Sequence, residues 1–197
     1  MAVATAWINV DVWTDGASRG NPGPGAMGIV VRSHGKKRVL LAAASRVFPL
    51  EECASSSEDC AEFVTNNIAE YDAINTAIGA CRARGTKTMQ IYSDSLLAVK
   101  QIEGAWRCKD PTLRRFLATV LDNRCALDGF SISHIRRGEN READFLANAI
   151  LDEAQKEHNE VMQIWIEGED IRYEHGDLSR FKSMVEEHLK LCREENK

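Results

Sequence analysis

No stretch of this 197-residue chain approaches the roughly 20 consecutive apolar residues that cross a bilayer, so no membrane-spanning helix is expected. The segment Met1–Ala6 lacks a basic region and a long apolar core, so no signal peptide is expected, and an intracellular, first of all cytoplasmic, setting is. None of the six cysteines falls in a C-x-x-C pair, and His/Cys partners at zinc-ligand spacing are missing. Four of them sit in apolar or helical contexts that favour a buried, reduced thiol. Cys53 and Cys60 flank a Ser/Glu-rich loop, where a disulfide is the lesser alternative. Internal repeats and low-complexity segments are also absent. Positive charge is not in excess, since the chain carries a net charge of -5. Through Lys156, 19 basic residues balance 19 acidic ones, and after it 6 basic residues face 11 acids. The negative excess therefore lies in the last 41 residues, and a neutral remainder leaves nucleic acid open as a partner.

What is present is a domain-sized chain, 44% hydrophobic and 28% charged, as soluble globular proteins are. Two of its runs read as β-strands closing on an aspartate: Ile8 to Asp15 and Met89 to Asp94. Ala26 to Arg32 and Arg38 to Val47 are further strands, joined by a turn at Ser33–Lys37, so the first three strands form an antiparallel meander. The Gly/Pro-dense segment after Asp15 specifies a shaped turn. Phe48 to Glu62 is a long connection.

Thr65 has the character of an N-cap for a helix that opens at Asn66. Ile74, Ala77, Ile78 and Cys81 recur on its apolar stripe, and Glu70 lies on that stripe, where an acid is uncommon; the bland alternative is a stripe-edge residue reaching water. Gly85 ends this helix, and a strand, helix, strand crossover of such length predicts a parallel pair. Two more helices follow, from Ser95 and from Thr112, then a short strand from Gly129 to Ile135. Asn140 is expected to cap a helix with the stripe Ala143, Leu146, Ala147, Ile150, Leu151 and Ala154. Asp144 sits in its first turn, where acids are common for electrostatic reasons alone. Beyond it come a strand candidate, Val161 to Ile166, and an amphipathic helix, Asp177 to Leu191. The fold class is mixed α/β. A catalytic domain is expected over residues 7–156, with an acidic and mainly helical extension over 157–197.

Taken one at a time, the acids are unremarkable. Together, Asp15, Glu70, Asp94 and Asp144 suggest a metal-binding quartet. Oxygen-only ligation suits Mg²⁺ or Mn²⁺ and not zinc. Two such ions about 4 Å apart clamp the attacking and leaving oxygens of a phosphodiester. For the four to meet, Glu70 and Asp144 are expected on the same side of the sheet as the strand aspartates; on the opposite side, a scaffold would be the reading left.

The segments Thr14–Gly25, Thr65–Tyr71, Tyr92–Ser95 and Asn140–Ala147, in this order, resemble the type 1 ribonuclease H family, and the resemblance spans roughly Trp7 to Lys156. It implies a five-stranded mixed sheet flanked by helices. It also implies hydrolysis of the RNA strand of RNA–DNA hybrids with two Mg²⁺ or Mn²⁺ ions, leaving 5′-phosphate and 3′-hydroxyl ends. Carried over, Asp15 bridges both ions, Glu70 and Asp94 hold one with it, and Asp144 helps hold the other. Asn21, Thr65, Asn66 and Asn67 match positions that touch the hybrid, where short polar groups reach the minor groove and the 2′-hydroxyl. Alternatively, Thr65 only caps its helix and Asn21 only shapes its turn.

Three departures stand out. The basic handle of some members is reduced to Glu103–Pro111, so hybrid affinity is expected to be lower and to fall with salt. Leu96 stands where many members have a polar residue. His134 has the spacing of a loop histidine used by some members, yet the compact form of the family, with an arginine such as Arg137 before the helix, makes it a strand residue.

A second reading is a non-catalytic module that serves as a subunit of a larger nucleic-acid assembly and docks through residues 157–197. A complete acid quartet argues against it. An integrase or exonuclease of similar fold fits poorly, because the Asn-Pro-Gly-Pro-Gly turn and the Thr-Asn-Asn helix start are not theirs. The enzyme is expected to act as a monomer.

Overall fold

A computed structural model describes residues 7–35, 40–48, 64–156, 163–167 and 170–174, together with residues 183 and 187. Among the described residues seven strands form one sheet: β1 (Asn9–Ser18), β2 (Gly25–Ser33), β3 (Leu40–Phe48), β4 (Thr88–Ser93), β5 (Gly129–His134), β6 (Gln163–Glu167) and β7 (Asp170–Glu174). Their order is β5-β4-β1-β2-β3-β6-β7. The pairs β1·β4 and β4·β5 are parallel and all the others antiparallel. The helices among the described residues are α1 (Asn66–Ala83), α2 (Leu96–Ile102), α3 (Pro111–Arg124) and α4 (Arg141–Lys156), with a 3₁₀ turn at Arg137–Glu139 just before α4.

Local chemistry starts α1, α2 and α3. The side-chain oxygens of Thr65, Ser95 and Asp110 accept from the backbone N–H three residues on, at Ile68, Ala98 and Leu113. Each bond satisfies one of the orphan donors of a first turn.

Alternation along the strands then makes two layers. Val10 and Val12 of β1, with Met27, Ile29 and Val31 of β2 and Ile91 of β4, point to one face. There they bury against Ala73, Ile74, Ala77, Ile78 and Cys81 of α1 and the apolar sides of α2 and α3. Each fully buried aliphatic side chain in this layer contributes about 1.5–3 kcal/mol. Val30 and Ala26 point to the other face, which α4 covers with Ala143, Leu146, Ala147, Ile150 and Leu151, all buried. Arg32 clips α4 to β2 by donating from Nη2 to both carboxylate oxygens of Glu142, at 2.6 and 2.7 Å.

The five expected strands and their parallel crossover are present, and a β6–β7 hairpin extends the sheet beyond β3. The strand candidate of the extension is found as Gln163–Glu167, while residues 170–174 are strand where a mainly helical extension was expected. Two strands fit because β3 offers β6 an open edge to pair with, from Ala42 to Arg46. Cys53, Cys60, the long connection and most of the Asp177–Leu191 helix lie outside the described residues.

Candidate metal and active site

The site begins with register. Thr14 of β1 is level with Ser93 of β4 in the parallel pair, so Asp15 and Asp94 occupy the next position on neighbouring strands. Asn140 fixes that juxtaposition. Its amide Nδ2, buried, donates to the Thr14 carbonyl and to Asp94 Oδ1, both at 2.9 Å. The expectation that the Asn140 side chain caps α4 is corrected, since its NH₂ is spent across the sheet end and its Oδ1 has no partner. Only the Asn140 backbone carbonyl serves α4, accepting from Asp144 N at 3.0 Å.

Glu70 arrives from the opposite layer. A Cβ on Gly16 would stand 2.2 Å from Glu70 N and 2.4 Å from the Ala69 carbonyl carbon, so α1 comes this close to β1 only over a glycine. The Gly16 backbone N–H donates to the Glu70 carboxylate. On the other face, a Cβ on Gly28 would stand 2.1 Å from the Ala143 carbonyl oxygen, and Gly28 is the register partner of Asp15. Helices α1 and α4 thus cover opposite faces of the sheet. The expectation that all four acids share one side is corrected: the helices bearing Glu70 and Asp144 lie on opposite faces, and Asp15, Glu70 and Asp94 meet at the end of the sheet with Asp144 beside Asp15.

Three of the four come together. Oxygens of Asp15, Glu70 and Asp94 lie within 4.8 Å of one another. Asp15 and Glu70 are each 5% exposed, so the alternative of Glu70 as a stripe-edge residue reaching water does not hold. Asp144 stands at the rim, its Oδ1 accepting from Arg137 Nη2 at 2.6 Å. It is near enough to act electrostatically on Asp15.

Burial, then the charges of Asp94 and Asp144, push the Asp15 carboxyl from 3.8 up to about 8. Burial, then Asp15 and Asp94, drive Glu70 well above the usual carboxylate range, against a smaller opposing pull from the Gly16 N–H and Arg137. Asp144 in turn holds the Arg137 guanidinium more firmly protonated. Buried carboxylates at such spacing must share protons or take up a cation. Glu70 Oε2 is buried with no hydrogen-bond partner, an acceptor left open beside two more carboxylates. An oxygen-only donor set with one unspent buried oxygen fits a hard divalent cation.

Asp15, Glu70 and Asp94 line an open pocket of about 440 Å³ whose walls also include Arg19, Asn66, Ser95, Arg137 and Asn148. Of the expected substrate residues, Asn66 lines this pocket, and its backbone N–H is bonded by Asn21 Oδ1 at 3.3 Å. Thr65 spends its hydroxyl on the α1 cap, and Asn67 is exposed at the start of α1 outside the pocket lining. His134 closes β5, exposed and outside that lining, as its reading as a strand residue implies. Arg19 and Asn148 were not singled out from the sequence, because an arginine in a glycine-rich turn and an asparagine within a helix carry no local signal of convergence.

The protein family described as reverse transcriptase-like matches residues 13–150. A ribonuclease HI of Halobacterium salinarum is 38% identical over 145 residues, which are 74% of this chain and 65% of that protein. The crystal structure of ribonuclease H1 from the same archaeon superposes with a TM-score of 0.64 at 37% identity, covering 74% of this chain and 99% of that one. A further structure, LC11 ribonuclease H1 in complex with an RNA/DNA hybrid, has a TM-score of 0.63 at 28% identity and covers 75% of this chain and 99% of that one.

Proposed function

The chain belongs to the type 1 ribonuclease H family, and from that premise we propose that it cuts the RNA strand of RNA–DNA hybrids endonucleolytically, leaving 5′-phosphate and 3′-hydroxyl ends. The observation that carries the reading is the meeting of Asp15, Glu70 and Asp94 at one end of the sheet with a buried oxygen to spare. The hybrid bound by LC11 ribonuclease H1 supports the substrate class.

Asp15, Glu70 and Asp94 would hold one divalent ion, and Asp144, beside Asp15, would help hold a second. When bound, two such ions, Mg²⁺ or Mn²⁺, supply Lewis acidity at the scissile phosphate and lower the pKa of the attacking water. The chain's own groups do the rest. Asn140 holds the two strand ends at fixed separation, so the Asp94 carboxylate does not drift as charge builds. Arg137, paired with Asp144, places a solvent-facing cation where a phosphodiester backbone would enter. Asn66, steadied by Asn21, offers an amide to the minor groove, where the 2′-hydroxyl distinguishes RNA. Thr65 and Asn67 flank it at the start of α1 as secondary contacts.

The test is a cleavage assay with end-labelled hybrid, duplex RNA and duplex DNA in Mg²⁺ or Mn²⁺. The RNA of the hybrid is expected to be cut, and Asp15→Asn to reduce the rate at least about a hundredfold. Undiminished cleavage in Asp15→Asn overturns the proposed site.

A further inference from the structure

The turn between β1 and β2 does more than reverse the chain. Its Gly23 forms a two-bond bridge with Val64, and its Asn21 side chain accepts from Asn66 N, so one side is fastened to the start of the helix that carries Glu70. Its Arg19 reaches the other way. Arg19 Nη1 donates to Asn148 Oδ1 at 2.9 Å, and Nη2 to Asp152 Oδ1 at 2.5 Å and to the Asn148 carbonyl at 3.4 Å. Asn148 Nδ2 in turn donates to the Asp144 carbonyl at 2.8 Å. Asp144, Asn148 and Asp152 are spaced by four, so they form one stripe of α4. The two acid-bearing helices lie on opposite faces of the sheet, and this turn is fastened to both.

We infer that Arg19 is a positioning residue: through Asn148 and Asp152 it sets where α4 presents Asp144 to the acid cluster. The β1–β2 turn is then a strap that fixes the spacing of Glu70 and Asp144 on either side of Asp15. A residue that orients a ligand from behind usually alters metal affinity about 10–100-fold when removed. Arg19 also lines the pocket, so a direct phosphate contact is the rival role. Asp152 separates the two, because its side chain is 58% exposed and it is not part of the pocket lining. A carboxylate there has no reason to approach a phosphate, but it is one end of the strap.

The inference rests on the cation-site reading for its calorimetry and on the hydrolase reading for its kinetic measurement alone. The experiment compares the full chain with Arg19→Met, Asp152→Asn and the charge-swapped pair Arg19→Asp/Asp152→Arg, each confirmed as folded by its melting transition. Mn²⁺ binding is measured by titration calorimetry and hybrid cleavage by initial rates. Arg19→Met is expected to weaken Mn²⁺ binding about tenfold and to lower kcat at unchanged KM. Asp152→Asn moves both in the same direction, and the swapped pair recovers part of the loss. Unchanged Mn²⁺ affinity in Arg19→Met overturns the strap. So does a rise in KM confined to Arg19→Met with Asp152→Asn silent, which assigns the guanidinium to substrate. Wild-type chain that binds Mn²⁺ but cuts nothing refutes the hydrolase reading, while the calorimetric comparison still decides the strap.

Discussion

Asp15 concentrates the electrostatic cost of the site in one carboxyl. With no cation bound, burial and its acidic neighbours raise it to about 8, whereas the unfolded chain restores about 3.8. Between those values the native state holds a proton that the unfolded state has released, so stability falls as pH rises. The stabilising difference is fully present below the ordinary carboxylate range and is lost progressively through about 8. Glu70, shifted the same way, adds to the slope. In chelator, the melting temperature is therefore expected to be higher at pH 5 than at pH 8. Asp15→Asn should flatten that profile, and a parallel profile in wild type and variant would refute the assignment. Asp15 and Asp94 were legible in the sequence because strand-like runs led up to them, although β1 continues past Asp15 to Ser18, and Glu70 because an acid on an apolar stripe is out of place. Asn140 was misread for a physical reason. An asparagine before a helix ordinarily caps with its oxygen, and nothing local tells that its NH₂ is taken by Thr14 and Asp94, 126 and 46 residues away.

At the scale of elements, the site depends on two close approaches. Helix α1 rides over Gly16 and α4 over Gly28, which is how acids from both faces reach the end of the sheet. A methyl at Gly28 would meet backbone, the Ala143 carbonyl, which cannot swing aside as a side-chain end can. Gly28→Ala is expected to cost about 3 kcal/mol of unfolding free energy. It should also depress cleavage more than its stability loss explains, because α4 carries Asp144. Urea melts alongside rates check this; a fully stable, fully active Gly28→Ala would mean that α4 can shift freely. Strands, helices and the parallel crossover were readable from periodicity and caps. Which face each helix covers was not, since parity along β1 becomes informative only once its partners are known. That is why a shared side of the sheet was the wrong requirement for acids that meet at the ends of its central strands.

In the whole molecule, β6 covers the outer edge of β3, and the hairpin it forms with β7 lies at the far end of the sheet from β4 and β5. The acid cluster draws on β1, α1 and the end of β4, none of which pairs with β6. A chain ended at Lys156 is therefore expected to keep hybrid cleavage and divalent-ion binding, while the bared β3 edge promotes association visible by light scattering. A folded truncation that no longer cuts would tie the extension to the chemistry. The charge balance of residues 1–156, 19 basic against 19 acidic, gives no broad attraction for a polyanion, so binding must come from local patches and should weaken as salt rises. All of this depends on Asp15, Glu70 and Asp94 forming a cation site. The most direct measurement is thermal unfolding of wild type and Asp15→Asn in chelator, Mg²⁺ and Mn²⁺. Ion at a hundred times its dissociation constant should stabilise the wild type by about 2.7 kcal/mol and leave Asp15→Asn nearly unmoved. Equal transitions with and without ion, or equal gains in both proteins, would contradict the account.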